Sequence, residues 1–319
     1  MGMSIEKSRG MRTVFLGTPE FAVPTLERMI AAGHDVVEVV TQPDRPKGRK
    51  QELTPSPVKA AALRHGIPVF QPERIRRADP VEHLRALAPE VMVIVGYGQI
   101  IPQTIIDIAP LGIVNVHASL LPVLRGAAPI QWSIARGCAF TGVTTMRIDA
   151  GLDTGDIVDQ WQTEIGPGET APELSARLAE AGADLLVQTL AALRDGTARP
   201  QPQDNSRATL APILKKEDGL VCWQRPAQQI HNLIRGFQPW PGAHTSFRGQ
   251  SLHLWRSRLV PKRWSLPPGA LIHEEGVFAV GGDGASLELL EVQLEGRKRM
   301  PAEIFANGHR LTQNELLGA

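Results

Sequence analysis

The chain has 319 residues, of which 42% are hydrophobic and 21% are charged. This composition is typical of a soluble globular protein, and the length predicts about two domains. The formal net charge of +1 neither favours nor excludes a nucleic-acid partner, so only local clusters of charge can indicate one. The two cysteines, Cys138 and Cys222, cannot form a disulfide framework and have no metal-ligand spacing.

The N-terminal residues 1–10 are polar and of mixed charge, and they lack the apolar core of a signal peptide. We expect them to form a loose extension before structure begins near Met11. The longest apolar runs, such as residues 91–95, have the length of a strand rather than of a membrane span. The sequence therefore predicts a cytoplasmic protein.

Short β-branched runs alternate with helical stretches from Met11 onward. The first run ends at Gly17, and Thr18 is predicted to cap a helix whose first residue is Pro19. Further strands are predicted at residues 36–40, 91–95, 113–116 and 142–148, and helices at residues 57–65, 80–88, 127–136 and 170–196. This alternation predicts an α/β catalytic domain over residues 11–198, with a parallel sheet covered on both faces.

The pattern changes after residue 198. Residues 199–212 are predicted to form a linker, because they begin with a polar stretch that has two prolines and no periodicity. Residues 213–319 contain a helix around 227–236 and then short alternating runs separated by turns rich in glycine and proline. This region is typical of a small β-barrel or sandwich.

Three polar side chains form the strongest indication of chemistry. Asn115 and His117 lie two residues apart at the end of an apolar run, and Asp153 follows 36 residues after His117. Residues two apart in a strand point to the same side, so the amide and the imidazole can face one substrate. An amide, an imidazole and a carboxylate can stabilise an oxyanion and move protons around it. Such residues near strand ends are nevertheless more often turn formers, so the trio needs support from its surroundings.

The predicted position of His117 provides part of that support. In parallel sheets, ligands bind beyond the carboxyl ends of the strands. His117, the Gly17-Thr18 turn and the Gly96-Tyr97-Gly98 turn all follow predicted strands. The Gly17 turn lacks both the dinucleotide glycine fingerprint and the P-loop pattern, which disfavours a nicotinamide oxidoreductase.

Three other clusters are less decisive. Asp149, Asp153 and Asp156 lack the spacing of a calcium loop or a zinc set, so no metal site is predicted. The loop of residues 41–50 carries four basic side chains. These could bind an RNA backbone or simply be exposed to solvent, and the sequence favours neither interpretation. Arg125, before a predicted helix, fits anion binding and packing equally well.

These residues together resemble the folate-dependent formyltransferase family, and within it the bacterial branch that acts on methionyl-initiator tRNA. The resemblance extends from Met11 to the C-terminus. The motifs that carry it are Thr41 to Pro46, Thr54 to Lys59, Asn115-Val116-His117, Ser119 to Pro122, Arg125 to Gln131, Leu152 to Gly155 and Pro239-Trp240-Pro241. One departure is Ala118, where the family usually has glycine or proline.

The resemblance implies a Rossmann-like catalytic domain with a mostly parallel sheet, and a C-terminal barrel of oligonucleotide-binding type. It implies formyl transfer from 10-formyltetrahydrofolate, without a metal, to the amino group of methionyl-initiator tRNA in translation initiation, with no membrane partner. Asn115, His117 and Asp153 match the catalytic trio. We expect folate contacts from Ser119, Leu120, Leu121, Pro122, Gly96, Tyr97 and Ile100, and tRNA contacts from Arg45, Lys47, Arg49 and Lys50.

Two alternatives stay open from the sequence. The same folate chemistry could serve another acceptor, such as an amino sugar, although the basic loop and the appended barrel argue against it. A protein that only binds RNA is a second alternative, and the intact trio argues against that. We expect a monomer.

Overall fold

The computed structural model describes residues 10–47, 52–312 and 315–318. The chain forms two compact units, each assembled from separate stretches of sequence. The first unit contains Met1–Arg125, Gly142–Gln162 and Ser175–Leu210; the second contains Gly126–Thr141, Thr163–Leu174 and Ala211–Ala319. The linear boundaries at residues 198 and 212 stay a prediction. No helix in the described ranges is both long and apolar enough to cross a membrane.

The N-terminal two thirds of the chain supply a seven-stranded sheet and most of the helices. The strands of this sheet are β1 (Arg12–Gly17), β2 (Asp35–Val40), β5 (Val69–Phe70), β6 (Val91–Val95), β7 (Ile113–His117), β8 (Phe140–Arg147) and β9 (Ile157–Glu164). Two short strands, β3 (Arg45–Lys47) and β4 (Glu52–Thr54), form a separate pair. The helices are α1 (Val23–Ala31), α2 (Pro57–Arg64), α3 (Ala78–Ala86), α4 (Gln103–Ile106), α5 (Pro129–Ala135) and α6 (Ala171–Arg194).

The order of the large sheet is β5-β2-β1-β6-β7-β8-β9. Strands β5, β2, β1, β6 and β7 are parallel, and β8 pairs with β7 in the antiparallel direction. Every residue of β6 and β7 is buried, as expected for strands covered on both faces. The mostly parallel sheet predicted from the sequence is confirmed, and the carboxyl ends of β1, β2, β6 and β7 share one edge.

The predicted start of the first helix is wrong. A single 3-10 turn occupies Glu20–Ala22, and α1 begins only at Val23. Thr18 makes no cap, because its hydroxyl donates instead to the carbonyl of Tyr97 at 3.1 Å. A contact across the edge of the sheet has thus replaced the local capping preference.

The basic loop contains regular structure. Strands β3 and β4 pair in the antiparallel direction, with Arg45 opposite Thr54 and Lys47 opposite Glu52. We call the pair of strands β3 and β4 the basic hairpin. Arg49 and Lys50, two of the predicted tRNA contacts, lie outside the described residues.

The C-terminal third of the chain supplies an antiparallel sheet and two further helices. Its elements are α7 (Ala227–Gly236), β10 (Ala243–Phe247), β11 (Gln250–Arg263), β12 (Leu271–His273), β13 (Val277–Val280), β14 (Ala285–Leu294), β15 (Met300–Pro301) and α8 (Ala302–His309). The sheet order is β10-β11-β14-β13-β12, with β15 paired to β14.

The two edges of this sheet are joined by the last described residues. Leu317 bridges Phe247 of β10, and Leu316 bridges Ala270, next to β12. Closing a sheet in this way removes exposed strand edges, as a small barrel does. Inside it lies a cluster of buried aromatic and aliphatic side chains that includes Trp223 and Phe305.

Candidate active site

Strand β7 presents two polar side chains at its carboxyl end. Asn115 pairs with Met146 of β8, and His117 pairs with Thr144. Because Asn115 and His117 are two residues apart, their side chains point to the same face of the sheet, about 7 Å apart along the strand. Asn115 is 7% exposed, and within the described ranges its carboxamide has no hydrogen-bond partner. The amide is therefore available to a ligand.

The imidazole of His117 is held between a carbonyl and a carboxylate. Its Nε2 lies 3.0 Å from the carbonyl oxygen of Leu124. A carbonyl can only accept, so Nε2 carries the proton. The other ring nitrogen, Nδ1, lies 3.7 Å from Oδ2 of Asp153, which is within reach of one bridging water. Nδ1 is thus the nitrogen that faces a substrate.

Asp153 lies in a tight loop whose conformation is restricted by hydrogen bonds and close backbone contacts. Its own backbone is left-handed, with a φ of 51°. Asp149 accepts hydrogen bonds from Gly151 N at 3.0 Å and from the Thr154 hydroxyl, which fixes the first half of the loop. A β-carbon at Gly155 would lie 2.0 Å from a backbone oxygen of β8, so this position admits only glycine. Asp149 therefore organises the loop that presents Asp153.

The predicted folate stretch, residues 119–122, is anchored by Thr144. The Thr144 hydroxyl donates to Ser119 O at 2.6 Å and accepts from Leu121 N at 3.1 Å. Gln160 donates to both Leu121 O and the Thr144 hydroxyl at 2.9 Å. The Ser119 hydroxyl is itself turned into the loop, where it donates to Val123 O at 2.6 Å. Pro122 and Leu121 are buried and Leu120 is partly exposed, so this stretch offers backbone groups and one aliphatic side chain.

The second predicted folate segment begins after β6. Gly96 has a φ of 57°, and a β-carbon there would lie 2.9 Å from Pro19. The Tyr97 side chain is only 1% exposed and packs in the apolar core, so only its backbone reaches the edge of the sheet. Burial raises the pKa of Tyr97 well above its ordinary value. Ile100 is 89% exposed, which leaves it free to cover a ligand.

The base of the basic hairpin is held by α2 and by the residue that follows β5. The Lys59 ammonium donates to Asp44 at 2.6 Å and to Gln71 at 2.8 Å, and the Gln71 amide donates to the other oxygen of Asp44 at 2.8 Å. These hydrogen bonds hold the pKa of Asp44 below its usual value. Arg45, the next residue, has a side chain that is 70% exposed, and its guanidinium is 4.0 Å from Glu73. The side chain of Lys47 is not described.

Arg125 serves packing rather than anion binding in this structure. It is 7% exposed, and its guanidinium donates to Gln203 at 3.0 and 2.7 Å and to Asn205 at 2.8 Å. The Gln203 amide in turn donates to the carbonyls of Asp153 and Gly155. Of the two interpretations that the sequence left open, the contacts favour packing.

Sequence reasoning missed four residues that shape this site: Leu124, Thr144, Gln160 and Gln203. Leu124 acts through its backbone, which has no signature in the sequence. Thr144 is one of several threonines in a β-branched strand, and Gln203 belongs to a stretch that looks like a linker. Among the residues that the structure describes, no three His, Cys, Asp or Glu side chains cluster as a metal site would.

Two family profiles match the chain in succession. Residues 11–190 match the profile described as Formyl transferase, and residues 213–310 match the one described as Formyl transferase, C-terminal domain. Together they cover both the sheet that carries Asn115 and His117 and the C-terminal barrel.

Solved structures share the fold at low sequence identity. One is the N-formyltransferase from Helicobacter canadensis in complex with folinic acid and dTDP-3-aminofucose, which has a TM-score of 0.69 and 20% identity. That match covers 88% of this chain and 98% of the other. HypX from Aquifex aeolicus in complex with tetrahydrofolic acid has a TM-score of 0.64 and 16% identity, over 94% of this chain and 47% of HypX.

Curated relatives are much more similar in sequence. The methionyl-tRNA formyltransferase of Solibacter usitatus is 64% identical over 97% of this chain and 99% of its own length. That of Koribacter versatilis is 56% identical over the same shares of the two chains. With both formyltransferase profiles matched in order and relatives this similar over nearly the whole length, the chain belongs to the methionyl-tRNA formyltransferase family of folate-dependent enzymes.

Proposed function

We propose that this chain carries out its family's reaction, formyl transfer from 10-formyltetrahydrofolate to the amino group of methionyl-initiator tRNA, with Asn115, His117 and Asp153 around the reacting carbon. The observation that carries the assignment is the separation of 3.7 Å between His117 Nδ1 and Asp153, beside an amide that no neighbour occupies. We propose that the three groups face the carbonyl of the formyl group when both substrates are bound.

The proposed reaction begins when the neutral amine of the methionyl group attacks the formyl carbon. A C–N bond forms, and the carbonyl oxygen gains negative charge. The Asn115 amide and the protonated Nδ1 of His117 donate hydrogen bonds to that oxygen. Losing one such donor typically costs about two to three orders of magnitude in rate.

In the proposed second half of the reaction, the oxygen loses its negative charge as the carbonyl re-forms, and one proton is transferred. Asp153 accepts the proton that the amine loses, directly or through a water. The tetrahedral intermediate then collapses, the bond from the formyl carbon to the folate nitrogen breaks, and that nitrogen gains the proton that Asp153 had accepted, directly or through a water. Positioned acid–base groups of this kind contribute about 10²–10⁴-fold in rate.

The folate is proposed to bind between residues 119–122 and the loop of residues 96–100. Thr144 and Gln160 fix the backbone of the first segment, and the positive φ values of Gly96 and Gly98 shape the second. Apolar side chains such as Leu120 would contact the ring, and backbone groups would recognise its polar edge.

The tRNA is proposed to contact the basic loop through Arg45, Lys47, Arg49 and Lys50. An exposed guanidinium on a strand suits a phosphate backbone, because that attraction needs charge more than fixed geometry. The hairpin follows β2, whose carboxyl end lies on the same edge of the sheet as His117.

The test is a comparison of acceptors with 10-formyltetrahydrofolate as donor. We expect formylation of methionyl-tRNA, none of uncharged tRNA, and no more than trace activity on a nucleotide-linked amino sugar. The amino sugar belongs in the test because a structural neighbour was solved with dTDP-3-aminofucose. Preferential formylation of the sugar would contradict the proposal and favour the alternative acceptor.

We further propose a cytoplasmic monomer. This is supported by the fact that the amide, the imidazole and the carboxylate all come from one unit of one chain, so a partner copy need not complete the site. Light scattering of the purified protein at micromolar concentration should give the mass of a single chain, 34.7 kDa. A mass of twice that value would contradict the monomer.

A further inference from the structure

The connecting segment, which we define as residues 199–210, folds against the loops that hold His117 and Asp153. We infer that Gln203 in this segment is a positioning residue that fixes the Asp153 carboxylate relative to His117, with Arg125 as its anchor. The inference rests on the proposed catalytic role of Asp153, and no sequence pattern indicated it.

Gln203 makes four hydrogen bonds through one side chain. Its Nε2 donates to Asp153 O at 2.8 Å and to Gly155 O at 2.7 Å. Its Oε1 accepts from Arg125 Nε at 3.0 Å and Nη2 at 2.7 Å. A guanidinium can only donate and a carbonyl can only accept, so the orientation of the amide is fixed by its partners. Only a carboxamide of this length satisfies both sides, because a carboxylate cannot donate.

Arg125 is itself locked in place. Its guanidinium also donates to Asn205 at 2.8 Å, and its backbone N donates to Thr209 O at 2.8 Å. At 7% exposure it loses most of its solvation, which its hydrogen bonds replace. Arg125 is thus a rigid support from which Gln203 reaches the loop of Asp153.

The same segment also holds the other side of the imidazole. The Thr209 hydroxyl accepts from Leu124 N at 2.9 Å, and Leu124 O accepts from His117 Nε2. Gln201 and Ile157 exchange two backbone hydrogen bonds at 2.8 Å, just after the Asp153 loop. The connecting segment therefore restrains the group on each side of the imidazole.

Backbone strain explains why such restraint is needed. Leu124 and Asp153, which contact the two nitrogens of His117, have positive φ values of 62° and 51°. A left-handed conformation is unfavourable for a residue other than glycine. Such conformations persist only where surrounding contacts outweigh the cost. Gln203 supplies contacts of this kind to Asp153, and Thr209 supplies them to Leu124.

Gln203→Glu separates positioning from folding. The new carboxylate can still accept both hydrogen bonds from Arg125, now as an ion pair, so the buried guanidinium stays satisfied. It can no longer donate to Asp153 O and Gly155 O. We expect kcat for methionyl-tRNA formylation to fall about tenfold to a hundredfold, as misplacement of a reacting group by about 1 Å does. We expect KM for both substrates within twofold of the wild type and a similar urea midpoint of unfolding.

Gln201→Glu is the matched control. It makes the same change two residues away, where the side chain is exposed and donates only to Arg199 O, so kcat should not change. A kcat of the Gln203→Glu variant within twofold of the wild type would overturn the inference, and so would an equal loss in the Gln201→Glu control.

A double-mutant cycle with Asp153→Asn distinguishes positioning from a general structural role. If Gln203 acts through Asp153, adding Gln203→Glu to Asp153→Asn should change single-turnover kcat by less than twofold. An undiminished loss in the Asp153→Asn background would overturn the inference while leaving the proposed function intact. Wild-type turnover of Asp153→Asn alone would overturn the proposed role of Asp153, and the inference with it.

Discussion

The surroundings of His117 and the basic hairpin are two parts of one edge of the sheet, and they differ in how tightly their side chains are held. His117 is 6% exposed and fixed by Leu124 O and the Asp153 loop. Arg45 is 70% exposed, with a single distant carboxylate beside it at 4.0 Å. Moving a formyl group requires fixed geometry, whereas attracting a phosphate backbone requires charge. Rigidity is therefore concentrated where bonds would form and break.

The largest expected effect comes from His117→Ala. Removing the donor and its link to Asp153 should lower kcat by about 10²–10⁴-fold. The Leu124 carbonyl also loses its donor, so the free energy of unfolding should fall by about 1–3 kcal/mol. Steady-state formylation and urea unfolding measure the two effects. The exposed His65→Ala is the control, and turnover within tenfold of the wild type in His117→Ala would contradict the assignment.

Thr144→Val should have an intermediate effect that is directed at the folate. It removes the hydroxyl that organises residues 119–122 while preserving shape. At about 0.5–1.5 kcal/mol for each hydrogen bond lost, KM for the folate should rise about tenfold. The control is Thr145→Val, which removes a hydroxyl bonded to Thr189 on the other face of the same strand. Both variants should lose stability, but an equal rise in folate KM in the control would show that the effect is not local.

Arg45→Ala should have a smaller effect, confined to tRNA. KM for methionyl-tRNA should rise about fivefold or less, as expected from an exposed charge worth about 1 kcal/mol. The slope of affinity against salt concentration should decrease by about one. The control Arg64→Ala removes an exposed arginine from the end of α2, at the opposite edge of the sheet. A change in kcat at saturating tRNA would place Arg45 in the chemistry rather than in binding.

The smallest effect concerns the base of the basic hairpin. Hydrogen bonds from Lys59 and Gln71 hold the pKa of Asp44 below its usual value of about 3.9. The stabilisation is therefore complete above about pH 5 and is lost as the pH falls through the lower, folded-state pKa. Asp44→Asn should lower the urea midpoint at pH 7, and its difference from the wild type should shrink as the pH falls below about 4. A difference that does not shrink with falling pH would mean that the charge of Asp44 is not responsible.

The sequence predicted what depends on neighbours along the chain. The β-branched run at residues 113–116 predicted β7, and the alternation of side chains placed Asn115 and His117 on one face. The start of α1 was wrong because the Tyr97 carbonyl, 79 residues away, takes the Thr18 hydroxyl. The residue types suggested that a carboxylate of the Asp149–Asp156 loop approaches His117, and the resemblance identified it as Asp153. The hydrogen bond from Gln203 to the Asp153 carbonyl could not be predicted, because Gln203 lies 50 residues further on.

The return of the connecting segment over the loops around His117 matters for protein engineering. A hybrid enzyme that takes its C-terminal part from a relative would ordinarily be joined where the polar, proline-rich stretch begins, after Ala198. A junction there would replace Gln203 and Thr209 with the relative's residues. The hydrogen bonds from these two side chains to the loops around His117 could then be lost. Hybrids joined after Leu210 should keep the turnover of the native enzyme. Hybrids joined after Ala198 should fold but have a lower kcat.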